Sequence, residues 1–154
     1  MAEAEVTTRA GRYITFQLSR QYFAIPSDRV RQILPASDVR TTDDRVPYLY
    51  GAIPANGRMI PVLDIRQKLG LGARPTRPSA CVLVVNLHGN CPVKVVGMVA
   101  DKLSEVVEYR ASEIRGSTAQ QRVEGRPYGR PKTLLDPEQL LKPLEWTKIH
   151  SVVL

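Results

Sequence analysis

The sequence predicts an all-β protein of about eight to ten short strands with two small helices, folded in barrel-like form. Three observations predict it. Twelve prolines and ten glycines in 154 residues give a turn-rich chain that favours short strands over long helices. Apolar residues between these turns either alternate with polar ones or form short continuous runs, the two signatures of strands. Finally, Asn56-Gly57 lies between two strand-like arms, and Asn-Gly supplies the two positive φ angles of a type I′ hairpin turn.

The elements follow in order. Residues 1–11 read as a loose N-terminal arm. Tyr13 to Leu18 alternates, with Ile14, Phe16 and Leu18 on one face. Ser19-Arg20-Gln21 turns the chain, and Tyr22-Phe23-Ala24-Ile25 returns as the second arm of a hairpin. Pro26 stops that strand, and Ser27 or Asp28 can cap a short helical turn. Val30, Ile33 and Leu34 fall at i, i+3 and i+4 of that turn and share a face, and Pro35 ends it. Residues 36–46 are polar and read as a loop.

Tyr48–Ala55 and Arg58–Ile65 are the arms of the Asn56-Gly57 hairpin. Pro61 removes one ladder donor, so its strand is expected at a sheet edge or with a bulge. Lys68 to Pro78 is a Gly/Pro/Arg linker. Ala80–Leu87 and Val93–Ala100 are paired strands around His88-Gly89-Asn90, and Gly97 implies a bulge or a close approach. Val106-Val107 is a short further strand. Residues 116–133 are polar, basic and broken by Pro127 and Pro131, and are expected to be irregular. Asp136-Pro137-Glu138-Gln139 starts a helix, with Asp at the N-cap, Pro at N1 and Gln at N3. The tail after Pro143 is apolar enough to dock but has no clear period. No close internal repeat is visible.

Composition narrows function. Hydrophobic residues make up 43% and charged ones 24%, ordinary for a globular chain. No stretch approaches the ~18 apolar residues that span a bilayer, and the N-terminus lacks an apolar signal core. A cytoplasmic protein without membrane insertion or disulfides is expected. Cys81 and Cys91 lie in apolar runs that read as strands, ten residues apart without a CxxC pattern, and are read as structural thiols. Only two histidines occur, His88 and His150, and neither has a flanking acid or Cys at ligand spacing. Asp64 and Asp101 end strands and are read as caps of nearby N–H groups. No Gly-rich phosphate loop is present. Neither an enzymatic activity nor a cofactor or metal is expected.

The formal net charge is +7. Much of the excess comes late, at Arg115, Arg122, Arg126, Arg130, Lys132, Lys142 and Lys148. The direct reading is a solvated basic loop. The alternative is a small-barrel nucleic-acid binder, but such proteins interleave aromatics with basic residues. Aromatics are only 6% here, so nucleic acid is not the expected partner.

Three ordered blocks carry a resemblance. The first is Tyr13-Ile14-Thr15-Phe16, Tyr22-Phe23-Ala24-Ile25-Pro26 and Val30-Arg31-Gln32-Ile33-Leu34. The second is Pro47-Tyr48-Leu49-Tyr50-Gly51-Ala52-Ile53, Gly57 and Ile60-Pro61-Val62-Leu63-Asp64-Ile65-Arg66. The third is Val95-Val96-Gly97-Met98-Val99-Ala100-Asp101, Leu103, Glu105-Val106-Val107, Leu134-Leu135-Asp136 and Leu140-Leu141. Together they resemble the CheW-like family of chemotaxis coupling proteins over about residues 12–141, leaving 142–154 as a C-terminal tail. The resemblance implies two five-stranded SH3-like barrels packed together, with one or two short helices. It also implies a non-catalytic adaptor that bridges chemoreceptor cytoplasmic helices to the regulatory domain of a histidine kinase.

By the same resemblance, partner contacts fall on Val30, Arg31 and Ile33 after the first hairpin, and on Gly51, Asn56, Gly57 and Arg58. From the residues alone, Val30 and Ile33 fit a docking strip or a core-facing strip equally. The family usually has Asn-Leu-Arg-Gly at the second hairpin, where this chain has Pro54-Ala55-Asn56-Gly57. Gln32 stands where Glu is frequent.

Overall fold

The computed structural model describes residues 10–42, 46–72, 81–117, 120–123 and 131–153. Twelve strands lie within them. In chain order they are β1 (Gly11–Leu18), β2 (Gln21–Pro26), β3 (Val30–Pro35), β4 (Arg40–Thr41), β5 (Leu49–Ala55), β6 (Arg58–Leu63), β7 (Cys81–Asn86), β8 (Val95–Ala100), β9 (Lys102–Tyr109), β10 (Ile114–Ser117), β11 (Gln120–Val123) and β12 (Lys132–Leu134). One α-helix, α1 (Pro143–Val153), follows. The strands form two sheets of six, ordered β10-β11-β12-β2-β1-β9 and β3-β7-β8-β6-β5-β4. Each sheet thus carries one strand more than the family resemblance implies.

The two sheets repeat one plan. In each, a hairpin (β1–β2 or β7–β8) joins a run of strand, one 3-10 turn and three strands. The runs are β9 to β12 for the first sheet and β3 to β6 for the second. Both sheets contain one short parallel contact, Thr133–Leu134 beside Phe23–Ala24 and Val62–Leu63 beside Gly97–Met98. The chain therefore repeats itself once, as β1–β6 and β7–β12, and each sheet takes its hairpin from one half and its remaining strands from the other. No residue pattern marks this repeat, which lives in pairing.

Three apolar clusters follow from the alternation of side chains across the strands. Tyr13, Ala24, Tyr109, Ile114 and Val123 fill one side of the first sheet. Ile53, Ile60, Val62, Val82, Val84 and Val99 do the same in the second. The largest cluster lies where the sheets meet, with Phe16, Phe23, Leu63, Leu83 and Met98 among its members. Trp146 and Ile149 of α1 complete it, 3% and 0% exposed. The tail without a period is thus a helix whose apolar side packs into the core between the sheets.

Several sequence expectations change. Residues 27–34 are not a helical turn: a 3-10 turn covers only Ser27–Arg29, and Val30, Ile33 and Leu34 lie on β3. Pro35 disfavours helix at Leu34, and the β-branched Val30 and Ile33 suit a pleated strand, so pairing with β7 prevails. An extra residue, Arg31, bulges from that ladder. Pro61 sits neither at an edge nor in a bulge of its own strand, because β6 lies between β5 and β8. Counting from the Ala55–Arg58 pair at the turn, Pro61 opposite Ala52 falls at a non-hydrogen-bonded position of the β5 ladder. The β8 ladder begins only at Val62, so the missing N–H breaks no strand pairing.

Gly97 marks close approach: a Cβ there would lie 2.6 Å from Val82 Cγ1. Cys91 lies in the turn after β7, outside any strand, because the apolar run resumes only at Val93. Within residues 116–133, where irregular chain is expected, 116–117, 120–123 and 132–133 lie in strands β10, β11 and β12, since backbone pairing tolerates polar residues. Pro127 and Pro131 had suggested otherwise; Pro127 is outside the described residues and Pro131 only precedes β12. Asp136 does cap its turn, accepting from Glu138 N at 3.2 Å, but the helix stops after the 3-10 turn Pro137–Gln139.

Candidate docking surface

The β5–β6 hairpin is built as its sequence dictates. Asn56 and Gly57 have φ of 51° and 78°, the left-handed pair that a type I′ turn needs. Asn56, Gly57, Arg58 and Met59 are exposed, while Ala55 and Ile60 turn inward. Gly51 is buried where the edge strand β4 crosses: Thr41 pairs with it, and a Cβ there would fall on the Arg40 carbonyl. Its role is to let two backbones meet, so that Arg40 and Thr41 can pair with Ala52 and Gly51.

β3 alternates. Val30 and Leu34 are half-buried and pack on the two apolar clusters, whereas Arg31 and Ile33 are exposed. Ile33 is 42% exposed, as is Met59. Of the two readings open to Val30 and Ile33, each residue takes one: Val30 faces in and Ile33 faces out. The candidate residues therefore sort into two groups on one sheet, Arg31 and Ile33 on edge strand β3, and Asn56, Gly57 and Arg58 at the hairpin. In the sheet order β7 and β8 lie between them. Each group presents an exposed apolar side chain beside a cation, a composition suited to protein contacts. Met59, not among the sequence candidates, is the last exposed residue before the buried run Ile60–Leu63, and that step from the turn into a continuous apolar run is the signal that finds it.

Two arginines are buried elsewhere in the fold. Arg66, 1% exposed, ion-pairs with Asp64 at 2.8 Å and with Asp101. Asp64 Oδ1 also accepts from Arg66 N at 3.1 Å, and Asp101 Oδ2 accepts from Ser19 N at 2.6 Å. Arg66 thus joins the end of β6, the β8–β9 link and the β1–β2 turn, which belong to different sheets. Asp64 and Asp101 are backbone caps, as expected, and counter-ions as well. Arg29 ion-pairs with Glu138 and donates to the Asn86 carbonyl at 3.2 Å. Glu138 also accepts from His88 N at 2.7 Å.

Among the described residues no cluster of three His, Cys, Asp or Glu could hold a metal ion. Burial pushes the Cys81 thiol up. It does the same at Cys91, against smaller opposing effects of the Val93 backbone and Lys94. A thiol held protonated is a poor nucleophile. Among the described residues no helix is long and apolar enough to cross a membrane.

A scaffolding protein, TtCheW from Thermoanaerobacter tengcongensis, has a similar solved structure: TM-score 0.71 at 16% identity, covering 87% of this chain and 89% of that one. At that identity the likeness is one of fold. A probable chemotaxis protein CheW of Rhizobium etli is 26% identical over 96 residues, 61% of this chain. The matched part spans 58% of that curated relative's length. The family model of the CheW-like domain matches residues 12–145, from β1 into α1. The chain belongs to the CheW-like domain family.

Proposed function

We propose that the protein is a non-catalytic adaptor of a chemotaxis or related motility pathway, which couples chemoreceptor-type proteins to a histidine kinase. The observation that carries this reading is the CheW-like match across both sheets. The exposed pairs Arg31/Ile33 and Arg58/Met59 support it as contact points. The partners are the kinase regulatory domain and the cytoplasmic helices of receptors. The contact residues are Arg31 and Ile33 on β3, and Asn56, Gly57 and Arg58 at the hairpin. Val30 and Gly51 act beneath them, by seating the strand and the hairpin. Asn56 in place of the usual arginine gives the hairpin a neutral tip. Arg58, two residues on, is then the nearest cation to it within the hairpin.

Isothermal calorimetry against the regulatory domain of a kinase from the same genome tests the proposal. Saturable binding at micromolar concentration supports it. A folded protein that gives no heat with the kinase domain or with receptor fragments at tens of micromolar contradicts it.

A further inference from the structure

Strand β3 carries Arg31 and Ile33 of the docking surface, and it is an edge strand paired along one side, by β7. Its ladder shifts register near its start: Val30 lies opposite Val85 and Gln32 opposite Val84, with Arg31 as the extra residue. Pairing that is short, one-sided and bulged fixes register weakly. Register is what points Arg31 and Ile33 outward, because a slip of one residue would turn them inward and bring Val30 and Leu34 out. Arg29 stands immediately before this strand, 5% exposed. The register of Val30 with Val85 places Arg29 opposite Asn86. There the side chain continues the ladder, since Arg29 Nε donates to the Asn86 carbonyl at 3.2 Å. The guanidinium also ion-pairs with Glu138. Glu138 is fixed in turn: its Oε2 accepts from His88 N at 2.7 Å, its N donates to Asp136 Oδ1 at 3.2 Å, and its carbonyl accepts from Trp146 Nε1 at 3.1 Å.

We propose that Arg29, held by Glu138, is a positioning residue of the docking surface: it anchors the bulged start of β3 to the end of β7 and so keeps Arg31 and Ile33 facing out. A buried ion pair adds little net stability over apolar side chains of the same volume, because both charges lose water. What it supplies is fixed geometry, since one guanidinium fork holds the Asn86 carbonyl and the Glu138 carboxylate together. Both partners lie in the second half of the chain, so the strand is placed by groups outside its own half. Arg66 also joins the halves, but at the end of β6, with β7 and β8 between it and β3 in the sheet order. It is the natural control. The docking role of Arg29 rests on the adaptor reading; the anchoring of β3 does not.

Hydrogen exchange of the full chain, read by mass spectrometry, tests the anchor by comparing segment 30–35 with the central strand β8. Arg29→Met is expected to speed exchange of 30–35 by about tenfold relative to β8, as local opening does. Glu138→Gln keeps an acceptor for His88 N and is the milder change; it should raise the same ratio by about threefold, and it carries the comparison where Arg29→Met fails to fold. Arg66→Met lowers global stability but should leave the ratio within about twofold of the parent. Proportional change of 30–35 and β8 in the Arg29 and Glu138 variants, as in Arg66→Met, overturns the anchor. Calorimetry with the kinase regulatory domain or receptor fragments, whichever the parent binds, tests the docking role. Glu138→Gln should bind about fivefold more weakly, and folded Arg66→Met within about twofold of the parent. Unchanged affinity of Glu138→Gln with 30–35 loosened overturns the docking role. Selective loosening of 30–35 with neither partner bound by the parent fails the adaptor reading and leaves the anchor standing.

Discussion

Arg66 and Asp101 meet in an ion pair across 35 residues of sequence, and that pair binds one sheet to the other. Asp101 uses its second oxygen to hold the N–H of Ser19, a residue with φ of 56° in the β1–β2 turn. Removing Arg66 would leave Asp64 and Asp101 as neighbouring carboxylates, 14% and 23% exposed. Arg66→Met is expected to cost about 3 kcal/mol, the lower range for breaking a buried pair, since both acids keep some water. Urea unfolding checks it. A double-mutant cycle with Asp101→Asn should show coupling of about 1 kcal/mol or more.

Gly57 and Gly97 should fail for different reasons. Gly57→Ala strains a φ of 78° in open space and should cost about 1–2 kcal/mol. Gly97→Ala drives a methyl into Val82, with overpacking of about 1–3 kcal/mol. Asn56→Gly keeps the turn and should leave the thermal midpoint nearly unchanged. Thermal melts of the three variants separate these cases.

Helix α1 should respond to acid through Glu145. Burial raises this carboxyl, but the Lys142 backbone N–H and the Lys68 ammonium outweigh it, and the net shift is downward. Glu145 Oε1 lies 2.7 Å from Lys142 N and 2.8 Å from Lys68 Nζ. A depressed carboxylate contributes stability above its unfolded value, and that stability is lost as pH falls through the folded one. The contribution is therefore present at neutral pH and disappears below about pH 4.5, the ordinary value. Trp146, the lone tryptophan, is buried beside it, so its fluorescence reports the docking of α1. Glu145→Gln is expected to be weakened already at pH 7 and to change less than the parent as pH falls below about 4.5.

The intertwined plan makes the two halves interdependent. Each sheet needs a hairpin from one half and a strand run from the other. A chain split between Thr76 and Arg77 should give two pieces that are each unfolded alone and fold together when co-produced. Circular dichroism of the separate and mixed halves checks this; a half that melts cooperatively by itself contradicts it.

Much of this was legible in the sequence, and the misses share a cause. Local chemistry announced the Asn56-Gly57 turn, the β7–β8 pair and the Asp136 cap, because each depends on residues close together. Val30, Ile33 and Leu34 misled because six residues cannot separate a helical from an extended period, and the deciding partner, β7, lies about fifty residues on. β10 to β12 were hidden because their outer residues are polar and cationic, as at Arg115 and Arg122, and only pairing makes them strands. Arg66 ends a recognisable strand motif, yet its burial depends on Asp101 of the other half. The internal repeat was invisible for the same reason.

The docking surface should be separable from stability. Ile33→Asp and Arg58→Glu alter exposed side chains, so their melting points should stay near that of the parent. Their kinase or receptor affinity should fall by about tenfold, as for hot-spot positions. Surface plasmon resonance with either partner reads the change.

An adaptor works by binding. Calorimetric titration of the full chain with the kinase regulatory domain measures it most directly. The expected result is saturable micromolar binding that Ile33→Asp weakens without unfolding the protein. A well-folded chain that binds neither kinase domain nor receptor helices, or an Ile33→Asp variant that binds as tightly as the parent in every case, would contradict it.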